Sequence, residues 1–343
     1  MKRWSLRWMP LLAVPLVMAA APAADGIRIE HFFLVLVSML IAGKVLGELA
    51  ERIGQPAVLG ELVAGVILGA SVLGVIPADG QINDVIKLLA EIGVALLLFE
   101  IGLETDLKEM FRVGASASIV AVIGIVAPFL LGFAYWMIAE PSLGVHADGI
   151  SDTMVAIFVG ATLAATSVGI TARVLTDLKR MHTPEARVVI GAAVIDDILG
   201  LVILAVVSGL AAGAALTIFG IAKTFAVAVG FLVAAVIIGN VVAPKLFGVV
   251  DRMRVRGVLL VSAISFAGLI AARAGLAGSA LIIGSFAAGL VLSSTNQFDM
   301  IVEKTKPVSD IFTPIFFVSV GSSVNVGLFI PGSEDFNATV LAV

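Results

Sequence analysis

Ten apolar segments, each close to the length that crosses a lipid bilayer, follow one another along most of this chain. A transmembrane α-helix needs about 20 predominantly apolar residues. The segments are approximately 31–52, 56–76, 84–106, 113–138, 153–178, 186–210, 216–247, 257–273, 277–293 and 307–329. An eleventh begins near Phe336 and is cut off at Val343. Because lipid cannot satisfy backbone polar groups, this pattern predicts an all-α integral membrane protein.

Composition excludes several classes of site. Hydrophobic residues make up 60% of the chain and charged residues 13%, whereas soluble domains carry about 25% charged residues. The chain has no cysteine, which excludes disulfides, thiolate metal sites and cysteine nucleophiles. The three histidines, His31, His146 and His182, lie near predicted helix ends and form no metal-binding cluster in the sequence. No basic nucleic-acid patch is present, and we expect no cofactor and no enzyme activity.

The first 24 residues form a separate segment. They begin with Lys2, Arg3 and Arg7, continue through an apolar run, and end in small residues. This is typical of a cleavable secretory signal, and an extra membrane helix is the alternative. Either one places the next segment outside the cytoplasm, so residues 25–343 are predicted to form the transmembrane domain with its N-terminus outside after signal removal.

The distribution of Lys and Arg predicts the orientation in the membrane. If the first segment enters from outside, alternate loops become cytoplasmic, and each of these loops is basic, as the positive-inside rule requires. Their basic residues are Arg52; Lys108 and Arg112; Lys179, Arg180 and Arg187; Lys245, Arg252, Arg254 and Arg256; Lys304 and Lys306. The exceptions on the other side are Arg28, Lys87, Lys223 and Arg273. A multi-pass protein of a bacterial inner membrane is therefore expected.

Two adjacent acids stand at the middle of the segment 186–210. Asp196 and Asp197 would lie close to the bilayer centre, where a single Asp costs about 2.5–3.5 kcal/mol on insertion scales. Consecutive helical residues point about 100° apart, so the two carboxylates cannot face one point. One can face a water-filled cavity and bind an ion, while the other faces a partner helix. A carboxylate of this kind can hold a proton or a cation, but not both. A pair held only by buried hydrogen bonds or a salt bridge is the structural alternative.

The preceding segment, 153–178, has a polar midpoint. Thr166 and Ser167 lie there between Gly160 and Gly169, which lower helix propensity. A broken helix at this depth would expose carbonyl and hydroxyl oxygens that suit an alkali cation, and such a break is tolerated where protein or a cavity covers it. The hydroxyls could instead bond back to their own helix. We predict an alkali cation site at Asp197 and Thr166.

Further acids belong to the third segment and its neighbours. Glu100 could line an inner vestibule or form a buried pair, for example with Arg173. Glu104 is expected to be structural, since Lys108 lies one turn further on. Glu48 and Glu61 are weaker candidates.

Six sequence blocks resemble, in order, the monovalent cation:proton antiporters of the bacterial sodium/proton and glutathione-gated potassium efflux (Kef-type) branch. The blocks are GQPAVLGELVAGVILGASVLG, LLLFEIGLETDL, GATLAATSVGITARVL, VIGAAVIDDILGLVIL, GSFAAGLVLSS and PIFFVSVG. The resemblance implies an inverted-repeat fold with a dimerisation panel and a mobile ion-carrying core. Two discontinuous helices cross near the midplane in that fold, and a homodimer is expected.

The same resemblance assigns roles to the site residues. Asp197 matches the carboxylate that binds the cation or proton, and Asp196 matches the acid that pairs with a lysine on a later helix. Thr166 and Ser167 match the unwound break. The double acid implies electrogenic exchange, and the break sequence favours Na⁺/H⁺ exchange in pH homeostasis, with K⁺ as the alternative cation.

One feature departs from the family pattern. The partner lysine and the second discontinuous helix follow the FFVSVG helix in the family, whereas this sequence stops as the next helix begins near Phe336. Lys306 precedes that segment and is expected to be a topology charge. We therefore expect a C-terminally truncated sequence with an incomplete second repeat.

Two rival classes of function share some of these sequence features. An intramembrane aspartyl protease also uses two buried Asp residues, but they must share one water or proton, and neighbours on one helix diverge. A gated potassium efflux protein or a non-transporting sensor is the other alternative.

Overall fold

The computed structural model describes residues 28–104, 114–143, 151–165, 183–211 and 218–329. Within these ranges every regular element is helical, and one α-helix lies in each of the ten predicted apolar segments. The helices are α1 Ile29–Arg52, α2 Ala57–Leu68, α3 Gln81–Glu104, α4 Gly114–Leu143, α5 Asp152–Ala164, α6 Pro184–Ala211, α7 Ile218–Val250, α8 Val258–Leu276, α9 Leu281–Leu292 and α10 Phe298–Ser322, followed by a 3₁₀ turn at Val326–Phe329. The all-α prediction is confirmed.

The helices fall into two compact units. The first comprises the described residues of Met1–Leu97 and Thr305–Leu341, and thus holds α1, α2, most of α3 and most of α10. The second comprises those of Leu98–Lys304, and thus holds the end of α3, α4 to α9, and the first turns of α10.

A tight reversal joins α1 to α2 in the first unit. Gly54 has a φ of 80°, and its N–H donates to the carbonyl of Glu51 while the N–H of Gln55 donates to that of Ala50. Those two bonds and the left-handed glycine form a Schellman motif, which satisfies the last carbonyls of α1. Pro56 then directly precedes α2 with an extended backbone. The two helices consequently pack side by side.

Small residues allow the backbones of the first unit to touch. A Cβ placed on Gly60 of α2 would lie 2.1 Å from the carbonyl oxygen of Leu46 on α1. Gly65 and Gly321 bring α2 equally close to α10. This packing suits helices in lipid, where close backbone approach replaces the hydrophobic drive for association.

The second unit is built around α9. Residues Ile283–Leu292 of this helix are all buried. Gly289 lets α9 approach the backbone of Phe99 on α3, and Gly284 lets it approach Ala271 on α8. Helix α4 packs against both α5 and α6, which forms the part of the unit that holds the acid pair.

Several described helices are suited to lipid by length and composition. Ile29–Arg52, Ser116–Ile138, Ala226–Val250 and Val258–Leu276 are long and apolar enough to cross a membrane, and Ala57–Leu68, Asp152–Ala164 and Leu281–Leu292 are shorter apolar helices. Large apolar side chains are exposed along them, for example Leu131 and Ile138 on α4. A soluble protein rarely exposes so much contiguous apolar surface. The chain is a multi-pass membrane protein.

Some helix bounds differ from the predicted segments. Helix α10 begins at Phe298, well before the predicted start near residue 307, because Ile301 and Val302 pack into the core although charged residues follow them. Helix α2 ends at Leu68 rather than near residue 76, since Gly69 adopts an extended backbone against Ser322.

Candidate functional site

Helix α6 carries the acid pair. The hydroxyl of Thr183 accepts a hydrogen bond from the N–H of Ala186 at 3.2 Å, and Pro184 occupies the first helical position. A threonine cap followed by proline is a strong helix start. Asp196 and Asp197 follow near the middle of this 28-residue helix.

Asp196 is buried and lines a cavity between three helices. Its exposed fraction is 7%, and the cavity has a volume of about 480 Å³. The lining residues are Ile125 of α4; Phe158, Ala161, Thr162 and Ala164 of α5 with Ala165 after it; and Asp196, Gly200, Ile203, Leu204 and Val207 of α6. Among these described residues, Asp196 is the one ionisable side chain and Thr162 the one other polar side chain.

The C-terminal end of α5 forms one wall of this cavity. The helix begins at Ser151, whose hydroxyl accepts from the N–H of Met154 at 3.4 Å, and it ends at Ala164. Ala165 is extended, with φ −68° and ψ 128°. The last turn of a helix carries carbonyls without intrahelical partners and the negative end of the helix dipole. The wall is therefore electrostatically suited to a cation.

Together these groups offer oxygen atoms of the kind that can bind a cation or a proton. A carboxylate, a threonine hydroxyl and a helix C-terminus are hard oxygen donors with partial or full negative charge, the ligands that alkali cations prefer. The other described residues that line the cavity are apolar.

The predicted site residues are placed as follows. Asp196 lies in the cavity; Asp197 is the next residue of α6, and its side chain lies outside the described part of the structure. Thr166 and Ser167 also lie outside the described residues, but α5 ends two residues before Thr166. Asp196 and the end of α5 therefore lie at one cavity.

The acids of α3 lie in other surroundings. Glu100 is half-buried and Glu104 is exposed at the helix end. Their suggested partners, Arg173 and Lys108, lie outside the described residues.

Two features were missed by sequence reasoning. Thr162 has no distinguishing sequence signal, because its place at the cavity depends on how α4, α5 and α6 pack. Glu61 of α2 is 4% exposed and accepts a hydrogen bond from the Lys44 ammonium of α1 at 3.2 Å. The pairing of Lys44 with Glu61 has no sequence signal, because it joins two helices.

Comparison with known proteins gives consistent results. The family model described as "Sodium/hydrogen exchanger, transmembrane" matches residues 33–343. The high-affinity Na⁺/H⁺ antiporter NhaS3 of Synechocystis is 40% identical over 86% of this chain and 69% of that protein. The probable Na⁺/H⁺ antiporter GerT of Bacillus cereus is 36% identical over 85% of this chain and 74% of that protein. The Na⁺/H⁺-K⁺ antiporter GerN of the same organism is 34% identical over 86% of this chain and 72% of that protein.

A solved structure shares the fold. The sodium proton antiporter MjNhaP1 from Methanocaldococcus jannaschii, solved at pH 8, superposes with a TM-score of 0.66 at 18% identity, over 88% of this chain and 75% of that one.

Proposed function

Because the chain belongs to the sodium/hydrogen exchanger family, we propose that it is a secondary transporter that exchanges Na⁺ for protons across the bacterial inner membrane. The expected membership of the monovalent cation:proton antiporters is confirmed by the family match. The observation that supports this function most strongly is the cavity in which Asp196 meets the end of α5.

Competition for one carboxylate would couple the two ions. Asp197 is proposed to hold either a proton or Na⁺, with oxygen ligands from Thr166 and Ser167. Since each ion must leave before the other binds, movement of the loaded site between the two sides exchanges one for the other. No covalent step and no cofactor are needed.

Asp196 is proposed to have a different role from Asp197. The two residues point about 100° apart on α6, and the resemblance pairs Asp196 with a basic residue. Its place at the cavity supports a role in setting how much charge moves with each Na⁺.

Potassium is the second candidate cation. GerN, 34% identical to this chain, is named as an Na⁺/H⁺-K⁺ antiporter. Gated potassium efflux has less support, because the relatives compared above are named as antiporters. A homodimer is proposed on the family resemblance, and an N-terminus outside is proposed on the distribution of Lys and Arg.

Proteoliposomes test the function directly. The protein is reconstituted at equal pH on both sides with a pH-sensitive dye inside, and Na⁺ is then added outside. Na⁺ entry is expected to drive protons out and make the interior alkaline, with a smaller response to K⁺. A cation current that flows without any pH change would contradict exchange and indicate a channel.

A further inference from the structure

We propose that Thr162 is a cation ligand on the outward side of the acid pair. The inference rests on the proposed exchange function. Among the described residues that line the cavity, Thr162 is the one polar side chain besides Asp196. An ion in this cavity would meet the side-chain oxygens of Asp196 and Thr162 among the described lining residues.

The hydroxyl of Thr162 presents an oxygen rather than a proton. Its Oγ1 donates a hydrogen bond to the carbonyl oxygen of Phe158 at 2.9 Å, one turn back on α5. A hydroxyl has one proton and two lone pairs, so this bond commits the proton and orients the oxygen as an acceptor. That oxygen is a suitable ligand for a small, hard cation such as Na⁺.

The C-terminal end of α5 adds a further favourable interaction for a cation near Thr162. Thr162 belongs to the last turn, where the partial negative charge of the helix dipole is concentrated. The dipole and the hydroxyl therefore both favour a positive charge in the cavity, in addition to the carboxylate of Asp196.

The cavity lies on one side of the acid pair. Its remaining α6 residues, Gly200, Ile203, Leu204 and Val207, all follow Asp196 in the chain. The cavity thus runs from Asp196 toward the C-terminal end of α6, which the distribution of Lys and Arg predicts to face outside. Thr162 would therefore act on ions that arrive from, or leave to, the outside.

A purely structural role is the competing interpretation. Threonine hydroxyls in helices commonly bond to the carbonyl one turn back and do nothing more. A ligand role differs in two measurable ways, since Thr162 must then affect ion affinity from one side and must be reachable by ions.

The transport test uses Thr162→Val, which keeps the shape and removes the hydroxyl. Because Thr162→Val removes one oxygen contact to the cation, the KM for external Na⁺ should rise about tenfold. The maximal rate should stay within about twofold of wild type. Thr162→Ser should keep the wild-type KM. Thr153→Val is the matched control, because Thr153 is exposed on the same helix and does not line the cavity. A KM for Thr162→Val equal to that of Thr162→Ser would overturn the proposal.

A labelling test needs no transport activity. Because the chain contains no cysteine, a Thr162→Cys variant has a single thiol. In proteoliposomes, the membrane-impermeant reagent trimethylammonium-ethyl methanethiosulfonate added on the outer side should modify it, and Na⁺ should slow the reaction at least threefold. Leu163→Cys is the control, since Leu163 is exposed but does not line the cavity, and Na⁺ should not change its reaction rate.

The results separate the inference from the function on which it rests. Labelling of Thr162→Cys that is faster from the cytoplasmic side, or unaffected by Na⁺, would overturn the proposal even if the wild type exchanges Na⁺ for protons. Na⁺-protected labelling in a protein without exchange would support the ligand and contradict the proposed function.

Discussion

Asp196 and Glu61 are the two charged side chains that are buried among the described residues, and their surroundings differ. Glu61 accepts a hydrogen bond from the ammonium of Lys44 at 3.2 Å, whereas Asp196 lies at a cavity wide enough for an ion and its waters. A buried carboxylate needs a counter-charge or ligands. We interpret the first as a structural ion pair and the second as part of the transport site.

The ion pair gives a stability prediction. Lys44→Met leaves the Glu61 carboxylate buried without its Lys44 partner and should lower the free energy of unfolding by about 1–3 kcal/mol. This cost lies between those of breaking a buried and an exposed ion pair, because the Lys44 side chain is 59% exposed. Thermal unfolding in detergent measures it.

Two further variants serve as controls for that prediction. The double variant Lys44→Met with Glu61→Gln should recover part of the loss, since the buried charge is gone. Glu48→Gln, which removes the exposed pair of Glu48 with Arg52, should cost under about 1 kcal/mol. A Lys44→Met variant as stable as wild type would show that the pair is not structural.

The second residue-scale prediction concerns the acid pair. Asp196→Asn removes one carboxylate from the cavity and leaves Asp197 to bind the exchanged ion, so the charge moved per Na⁺ should fall. Electrical recording on solid-supported membranes measures the charge. Unchanged charge movement per Na⁺ would argue against a separate role for Asp196.

The acid pair could be predicted from the sequence, but the cavity beside it could not. Two adjacent Asp residues in the middle of an apolar segment are expensive in lipid, so their presence alone indicates function. The cavity instead arises from the way α4, α5 and α6 pack, and its lining residues are far apart in the chain. Thr162 resembles any other helical threonine until that packing is known.

Among the elements, apolar segments were predicted better than helix ends. Hydropathy identifies residues that lipid or core can cover, and each predicted segment contains a helix. Helix α10 begins before its predicted apolar segment because Phe298 and Ile301 form an apolar face among charged neighbours. Helix α5 ends at Ala164 within an apolar run, because the extended backbone of Ala165 and not a change in hydropathy ends the helix.

Glycine contacts between helices give the prediction at this scale. A Cβ on Gly289 of α9 would lie 2.1 Å from the carbonyl oxygen of Phe99 on α3, so Gly289→Ala should force the helices apart and cost about 1–3 kcal/mol. Thermal unfolding in detergent is again the measurement.

Gly268→Ala on α8 is the matched control for Gly289→Ala. A Cβ there meets nothing within 4 Å, and alanine is the better helix former, so stability should be equal or higher. Equal effects of the two substitutions would contradict the close contact of α9 with α3.

For the whole molecule, the sequence predicted the class, the family and the helical fold, because six ordered blocks and a repeated apolar period extend over nearly the entire chain. Orientation in the membrane remains a prediction from Lys and Arg alone. The division into two units could not be predicted from the sequence, since the boundary between the units falls inside α3 and inside α10.

Single cysteines test the orientation. In a chain without other thiols, Asp79→Cys, in the loop between α2 and α3, should react with a membrane-impermeant maleimide in intact cells. Met253→Cys, in the basic loop between α7 and α8, should react only after permeabilisation. The opposite pattern would invert the topology and place the cavity beside Asp196 on the cytoplasmic side.

The central claim is that Asp197 carries the exchanged ion, and Asp197→Asn tests it most directly. The amide keeps the size of the side chain but cannot bind and release a proton in the working pH range, so the protein should fold and the exchange should stop. Asp79→Asn, in an exposed loop, is the control for loss of a carboxylate elsewhere.

The measurement is Na⁺-driven pH change in proteoliposomes that contain equal amounts of wild-type, Asp197→Asn and Asp79→Asn protein. The account predicts a full response from the wild type and from Asp79→Asn, and a response at least a hundredfold slower from Asp197→Asn. Na⁺-driven pH change at the wild-type rate in Asp197→Asn would contradict it.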